Sequence, residues 1–242
     1  MGKPLNQQRR GKGSPSFKRP SHRFLVDLKL PNFAKKIKGE VLRFVDDPAR
    51  SGLVMDVLFE DRSKHYLLAP EGIKVGDFIS YGSGSEVKTG NILPLAEIPE
   101  GTPIFSVEIT PGDGGKLVRG AGTCAYVLGH ADGFTSIQLP SKAIKTLKDN
   151  CKAVIGVVSG GGRKEVPFLK AGKKFHAMKA RNMYWPKVRG VKMGAYDHPF
   201  GGKEHHKGKS STVGRHAPPG RKVGHLAARR VGRKTRIRKV ET

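Results

Sequence analysis

The chain has 242 residues and a formal net charge of +26, from 46 Lys and Arg against 20 Asp and Glu. That length has room for one large or two small domains. A charge this large argues against a chain that works free of partners and calls for a polyanion to neutralise it, and two cysteines outside any C-x-x-C pair argue against a cysteine-built zinc site.

The charge is unevenly placed. Residues 1–40 carry 11 Lys and Arg against 2 Asp and Glu, residues 41–160 carry 12 against 14, and residues 161–242 carry 23 against 4. A neutral middle between two cationic arms points to a nucleic acid, whose phosphates release bound counterions when Lys and Arg replace them. The first 23 residues lack the apolar stretch of a secretory signal, and the apolar run Ala153–Val158 is far too short to span a bilayer. A soluble intracellular protein with reduced, buried Cys124 and Cys151 is expected.

Residues 1–36 mix Gly, Pro, Ser, Arg and Lys with scattered Phe and Leu, and read as a basic extended arm with no core of its own. Strand periodicity then starts. Residues 37–46, 53–60, 64–68 and 72–81 alternate apolar and polar positions between turn residues, which predicts a small antiparallel barrel over 37–82 of the OB type. Gly82-Ser83-Gly84-Ser85 reads as a linker.

A second barrel is predicted over 83–162, from strands at 103–109, 124–128, 134–139 and 151–158. Residues 142–148 suit a helix or a hairpin strand, and Pro140-Ser141 between short apolar runs favours the strand. Glycines 160–162 end the sheet pattern. Phe168, Ala171, Phe175 and Met178 then step by three and four, predicting a short helix near 167–182 with one apolar face. The fold class is therefore mainly β, two small antiparallel barrels with long basic extensions. The last segment, 163–242, is the short helix plus a basic extended arm.

The most distinctive stretch runs from Trp185 to Gly202. Its Gly and Pro let backbone approach a partner closely, and its aromatics offer stacking faces, so Trp185, Lys187, Arg189 and His198 are candidate RNA contacts. Arg10, Lys12, Lys203, Arg215, Arg221, Lys222, Arg229, Arg230 and Arg233 are candidate phosphate contacts in the arms. Arg119 precedes the glycine turn Gly120-Ala121-Gly122-Thr123, and Arg50 lies in Pro48-Ala49-Arg50-Ser51-Gly52. Each suits a phosphate contact and equally a solvated loop arginine. The Gly120 turn is not a P-loop, because G-x-x-x-x-G-K-[ST] is absent. Six of nine histidines follow residue 160, including His198, His205 and His206, but without Cys and with few carboxylates they make a weak metal signal.

Ordered along the chain, Tyr66-Leu67-Leu68-Ala69-Pro70-Glu71-Gly72, Gly90-Asn91-Ile92-Leu93-Pro94-Leu95, Ile98-Pro99-Glu100-Gly101-Thr102, Pro111-Gly112-Asp113-Gly114-Gly115, Arg119-Gly120-Ala121-Gly122-Thr123 and Arg189-Gly190-Val191-Lys192-Met193 leading to Asp197-His198-Pro199 closely resemble the ribosomal protein L-two family, the second protein of the large ribosomal subunit. Ala217-Pro218-Pro219-Gly220-Arg221-Lys222-Val223-Gly224 is similar to its archaeal and eukaryotic branch. The resemblance implies an OB-fold, an SH3-like barrel and extensions that enter large-subunit ribosomal RNA near the peptidyl-transferase centre. It also implies contacts with other ribosomal proteins and with the small subunit across the interface, in a cytoplasmic ribosome. Arg50 and Arg119 match RNA-binding arginines of the family, and His198 matches the histidine of its Asp-His-Pro motif. Phe200 stands where the bacterial branch has a second His, and Lys203 replaces a glycine, which weakens any inference of proton-transfer chemistry. The expectation is a structural constituent of the ribosome and not an enzyme. No catalytic residue, cofactor, metal, membrane or homo-oligomer is expected. An architectural DNA-binding protein would need a recognition helix or groove wedge, and an RNA-acting enzyme a nucleophile–base pair; the sequence offers neither.

Overall fold

The computed structural model describes residues 2–33, 35–48, 50–202 and 210–232. Two compact units appear: residues 20–169 form one, and residues 1–19 with 170–242 form the other.

The larger unit is a ladder of ten strands: β1 Ile37–Val45, β2 Val54–Phe59, β3 Lys64–Leu68, β4 Phe78–Tyr81, β5 Ile92–Pro94, β6 Pro103–Phe105, β7 Ala125–Ala131, β8 Phe134–Gln138, β9 Ile144–Lys148 and β10 Lys152–Ile155. The order is β3-β2-β1-β4-β5-β10-β6-β7-β8-β9. Strand pairs are antiparallel except β4 with β5, which run parallel through Tyr81 and Ile92. Pro70 bridges Val158, with Glu71 N–H donating to Val157 O at 2.8 Å and Ser159 N–H to Ala69 O at 3.0 Å. The end of β3 thus returns to the β10 segment, and the first six strands of the order run round into a ring.

Two cores lie on opposite sides of a shared wall. Val41, Val57, Phe59, Ile79 and Tyr81 fill the first, and Ala125, Val127, Ile137 and Leu147 fill the second. The wall is β5, β10 and β6. Ile92, Val154 and Phe105 enter the first core, while their neighbours Leu93, Ala153, Ile155 and Ile104 enter the second. Successive side chains of a strand point to opposite faces, so a strand covered on both sides must be apolar throughout. The first core therefore draws Ile92, Phe105, Val154 and Val158 from beyond residue 82.

Several expectations change. Leu28 and Leu30 are buried in the first core, and Phe33 packs edge-on against Phe59 at 4.9 Å and Tyr81 at 5.2 Å. Residues 28–33 are thus part of the core and not a coreless arm; their apolar side chains are fixed by the surface they cover, not by a period of their own. The Gly82–Ser85 stretch is pinned, with Gly82 N–H donating to Ile92 O at 2.9 Å and Gly84 N–H to Glu97 at 2.7 Å. Strand β6 stops at Phe105 because Ser106 adopts a left-handed φ of 48°. The buried Glu108 then organises the following turn by accepting N–H groups from Gly112, Gly114 and Lys152. As expected, residues 144–148 form a hairpin strand. Cys151 is buried, and burial is the first cause of its raised thiol pKa; Cys124 is half-buried and hydrogen-bonded to Tyr126.

The smaller unit contains α1 Asn6–Gly11, α2 Ala171–Ala180 and two short parallel strands, β11 Thr212–Val213 and β12 His225–Leu226. Among its described residues Leu5 and Val223 are its buried apolar side chains. Helix α2 is shorter than expected and buries no residue; Phe168 precedes it and Phe175 is exposed. Its apolar stripe is not a core face. Asn182 ties residues 15–18 to the α2 end, donating to Pro15 O at 2.7 Å and Lys18 O at 2.6 Å. Among the described residues no helix is long and apolar enough to cross a membrane.

Candidate nucleic-acid interface

The net charge follows the two units. The larger unit carries 19 Lys and Arg against 17 Asp and Glu, and the smaller one 27 against 3. With so little apolar burial, the smaller unit is a cationic surface first.

Within the larger unit, three loops meet. Arg50 and Ser51 come from the β1–β2 loop, Arg119 to Gly122 from the segment before β7, and Ser159 to Gly161 from the segment after β10. Ser51 Oγ accepts the Ala121 N–H at 3.0 Å, and Ser159 Oγ accepts the Leu53 N–H at 3.2 Å. Gly122 has φ +64°, and a Cβ there would lie 2.4 Å from the Gly161 Cα, so position 122 needs glycine for the backbones to meet, while a Cβ at Gly161 would make a tight 3.3 Å contact. Arg119 donates to Leu28 O at 2.9 Å. Arg50 is 15% exposed and pairs with the buried Asp47 carboxylate at 2.5 Å. Burial is the first cause that lowers the Arg119 pKa, and the charge of nearby Arg50 is the second. Two guanidinium groups from different parts of the chain thus lie near enough to repel each other, each held by an internal acceptor, beside closely packed glycine backbone. A phosphate would relieve their mutual repulsion and accept their remaining N–H groups.

In the smaller unit, the loop at residues 190–202 folds on itself. Asp197 N–H and His198 N–H both donate to Gly194 O, at 3.0 and 3.2 Å, and Gly202 N–H donates to Met193 O at 3.1 Å. The His198 ring lies on Gly190, where a Cβ would sit 2.3 Å from the ring. His198 Nδ1 accepts the Phe200 N–H at 3.0 Å, so Nδ1 carries no proton and the ring is neutral with its hydrogen on Nε2. Burial lowers its pKa. Asp197 pairs with Lys3 at 3.2 Å and does not orient the imidazole. The adjacent Asp and His therefore form no base-and-orienter pair.

Trp185 is half-buried beneath Lys174, whose Nζ lies 5.6 Å from the ring centroid. Arg10, Lys12, Lys187, Arg189, Arg215, Arg221, Lys222, Arg229 and Arg230 are exposed. Lys203 and Arg233, with His205 and His206, lie outside the described residues. Among the described residues no three His, Cys, Asp or Glu side chains cluster as metal ligands would. The structure brings Arg50 and Arg119 together, which sequence reading did not foresee. That reading also passed over Ser51, Gly161 and Lys3. The run of glycines at 160–162 both ends the sheet pattern and is the sequence signal for the junction.

Comparison with known families gives two matches in chain order. Residues 9–81 match "Ribosomal Proteins L2, RNA binding N-terminal domain", and residues 88–222 match "Ribosomal Proteins L2, C-terminal domain". The chain is similar to "Large ribosomal subunit protein uL2" of Methanocaldococcus jannaschii, 53% identical over 239 residues, covering 96% of this chain and 99% of the relative. It is 50% identical to the protein of that name from Methanococcus maripaludis over 240 residues, covering 97% and 100%. For the Methanopyrus kandleri protein the identity is 50% over 239 residues, covering 96% and 98%. With both family domains matched in order and half the residues shared nearly end to end, this chain belongs to the ribosomal protein L2 family.

Proposed function

We propose that the protein is a structural constituent of the large ribosomal subunit that binds ribosomal RNA. The carrying observation is the partition of charge: 27 Lys and Arg against 3 acidic residues in a unit that buries little apolar surface, beside a nearly neutral unit that holds both cores. The neutral unit docks, and the cationic unit fills and neutralises RNA clefts. Arg50 and Arg119 contact phosphate at the three-loop junction. The 185–202 segment lies near the peptidyl-transferase centre, where it supports RNA folding and subunit association. Other ribosomal proteins and the small subunit are its further partners, and it resides in the cytoplasmic ribosome. Peptide-bond chemistry belongs to the RNA, a reading supported by a His198 whose Nδ1 is already engaged by the Phe200 N–H.

Crosslinking in cell extract followed by sequencing of the bound RNA tests this. Large-subunit ribosomal RNA should dominate, and genomic DNA fragments would overturn the reading. Arg50→Ala or Arg119→Ala should weaken binding of the folded protein to that RNA by about 1–3 kcal/mol each. Unchanged affinity in both variants removes the junction from the interface.

A further inference from the structure

A groove of about 680 Å³ crosses the outer side of β2, β1 and β4, away from the arginine junction's loops. That volume falls in the range of small-ligand sites, about 300–1,000 Å³. Strand β4 alternates: Ile79 and Tyr81 enter the first core, while Phe78 and Ser80 face the groove. Phe78 is 72% exposed, more than any other aromatic side chain among the described residues.

The pairing register sets two rows across the groove. Lys38 lies opposite Ser80, and Glu40 lies opposite Phe78. Two residues along a strand separate the rows by about 6.8 Å. At the first row Lys36, Lys38 and Lys88 gather round Glu86. The Lys88 ammonium sits 2.6 Å from that carboxylate and is the first cause of its lowered pKa, with Lys36 and Lys38 adding to it. One end of the groove is therefore cationic and centred on an anion. The other end offers an aromatic face beside a carboxylate.

We propose that this groove binds one unpaired RNA nucleotide, with its phosphate displacing Glu86 among Lys36, Lys38 and Lys88 and its base stacking on Phe78. The inference rests on the RNA-binding reading above and adds a second, separate contact. Glu40 beside the ring accepts an exocyclic amine, which favours cytosine over uracil. An acidic peptide suits the groove less well. It would satisfy the lysines but meet Glu60 beside Lys38 and Glu40 at the far end, whereas a nucleotide sets an amine, not a charge, against Glu40.

The test uses the full chain and a single-stranded oligocytidylate of about ten nucleotides carrying one 5-iodocytidine, within ordinary single-strand site sizes. Photocrosslinking should yield a peptide containing Phe78. Phe78→Leu should reduce that adduct about fivefold or more, the loss of one stacked base. Total binding, carried by the cationic unit, should change by less than about twofold. Glu86→Gln should raise the adduct, and the matching 5-iodouridine oligouridylate should give less of it. Both variants alter exposed side chains, and unchanged melting temperatures would confirm their folding. Crosslinks confined to Trp185 and Tyr196 would overturn the groove and leave the RNA reading intact. Absence of any salt-sensitive binding would overturn both. If a photoreactive phenylalanine analogue at position 78 captured a protein in assembled particles, the groove would be a protein site and the proposal would fall.

Discussion

His198 shows how a residue that looks catalytic in sequence is committed elsewhere by its contacts. Its Nδ1 accepts the Phe200 N–H, and burial holds its pKa below 6.5. The folded loop thus prefers the neutral ring. Between the lowered folded value and 6.5 the opened loop binds more protons than the folded one, so loop stability falls as pH drops through that interval and is complete above it. We expect the exchange protection of the Phe200 amide to fall as pH drops below about 6.5. His198→Gln should remove that pH dependence. Protection that stays flat in the wild type would show that the Nδ1 contact is not formed. The same variant should form peptide bonds in assembled ribosomes within about tenfold of the normal rate. A loss of about 10²-fold or more, typical of a missing general acid or base, would give His198 a chemical role.

At the level of elements, what matters is which segments are held from both sides. Gly122 and Gly133 both adopt left-handed backbone, at φ +64° and +79°, but a Cβ at Gly122 would lie 2.4 Å from Gly161, whereas one at Gly133 meets nothing within 4 Å. Gly133→Ala should cost about 1–2 kcal/mol from backbone conformation alone. Gly122→Ala should cost clearly more, about 3 kcal/mol or above, because the backbones must also move apart. Urea unfolding measures both. Equal costs would mean that the Gly122–Gly161 approach does not fix the junction. This contrast also explains what could be read in advance. Strands β1 and β8 were legible because one face is covered and the residues alternate. The wall strands β5, β6 and β10 were harder, since residues such as Ile92-Leu93 and Ile104-Phe105 are buried on both faces and show no period. Strand β5 was missed for that reason. The placement of Leu28 and Leu30, and the meeting of Arg50 with Arg119, depend on contacts far apart in sequence, which no local pattern encodes.

Across the whole molecule, stability and charge are carried by different parts of the chain. Residues 20–169 contain every member of both core clusters yet carry nearly equal numbers of basic and acidic residues. A fragment of residues 20–169 should therefore unfold cooperatively, while losing most of the salt-sensitive RNA affinity. Full-length protein making about 6–10 phosphate contacts should lose on the order of 10³–10⁵ in affinity between 50 and 200 mM salt, and the fragment on the order of tenfold, from one or two contacts. The boundary matters as well. A shorter fragment, 37–160, matches the limits of the strand pattern but omits Leu28, Leu30 and Phe33. Removing a buried leucine side chain costs about 2–5 kcal/mol, so losing two together with the Phe33 ring contacts should lower stability by at least about 4 kcal/mol relative to 20–169. Denaturant midpoints of the two fragments, at equal slope, decide it. Identical midpoints would show that residues 28–33 only lie on the first core. A salt dependence of 20–169 as steep as that of the full chain would move the main RNA-binding surface out of the cationic unit and onto the strands themselves.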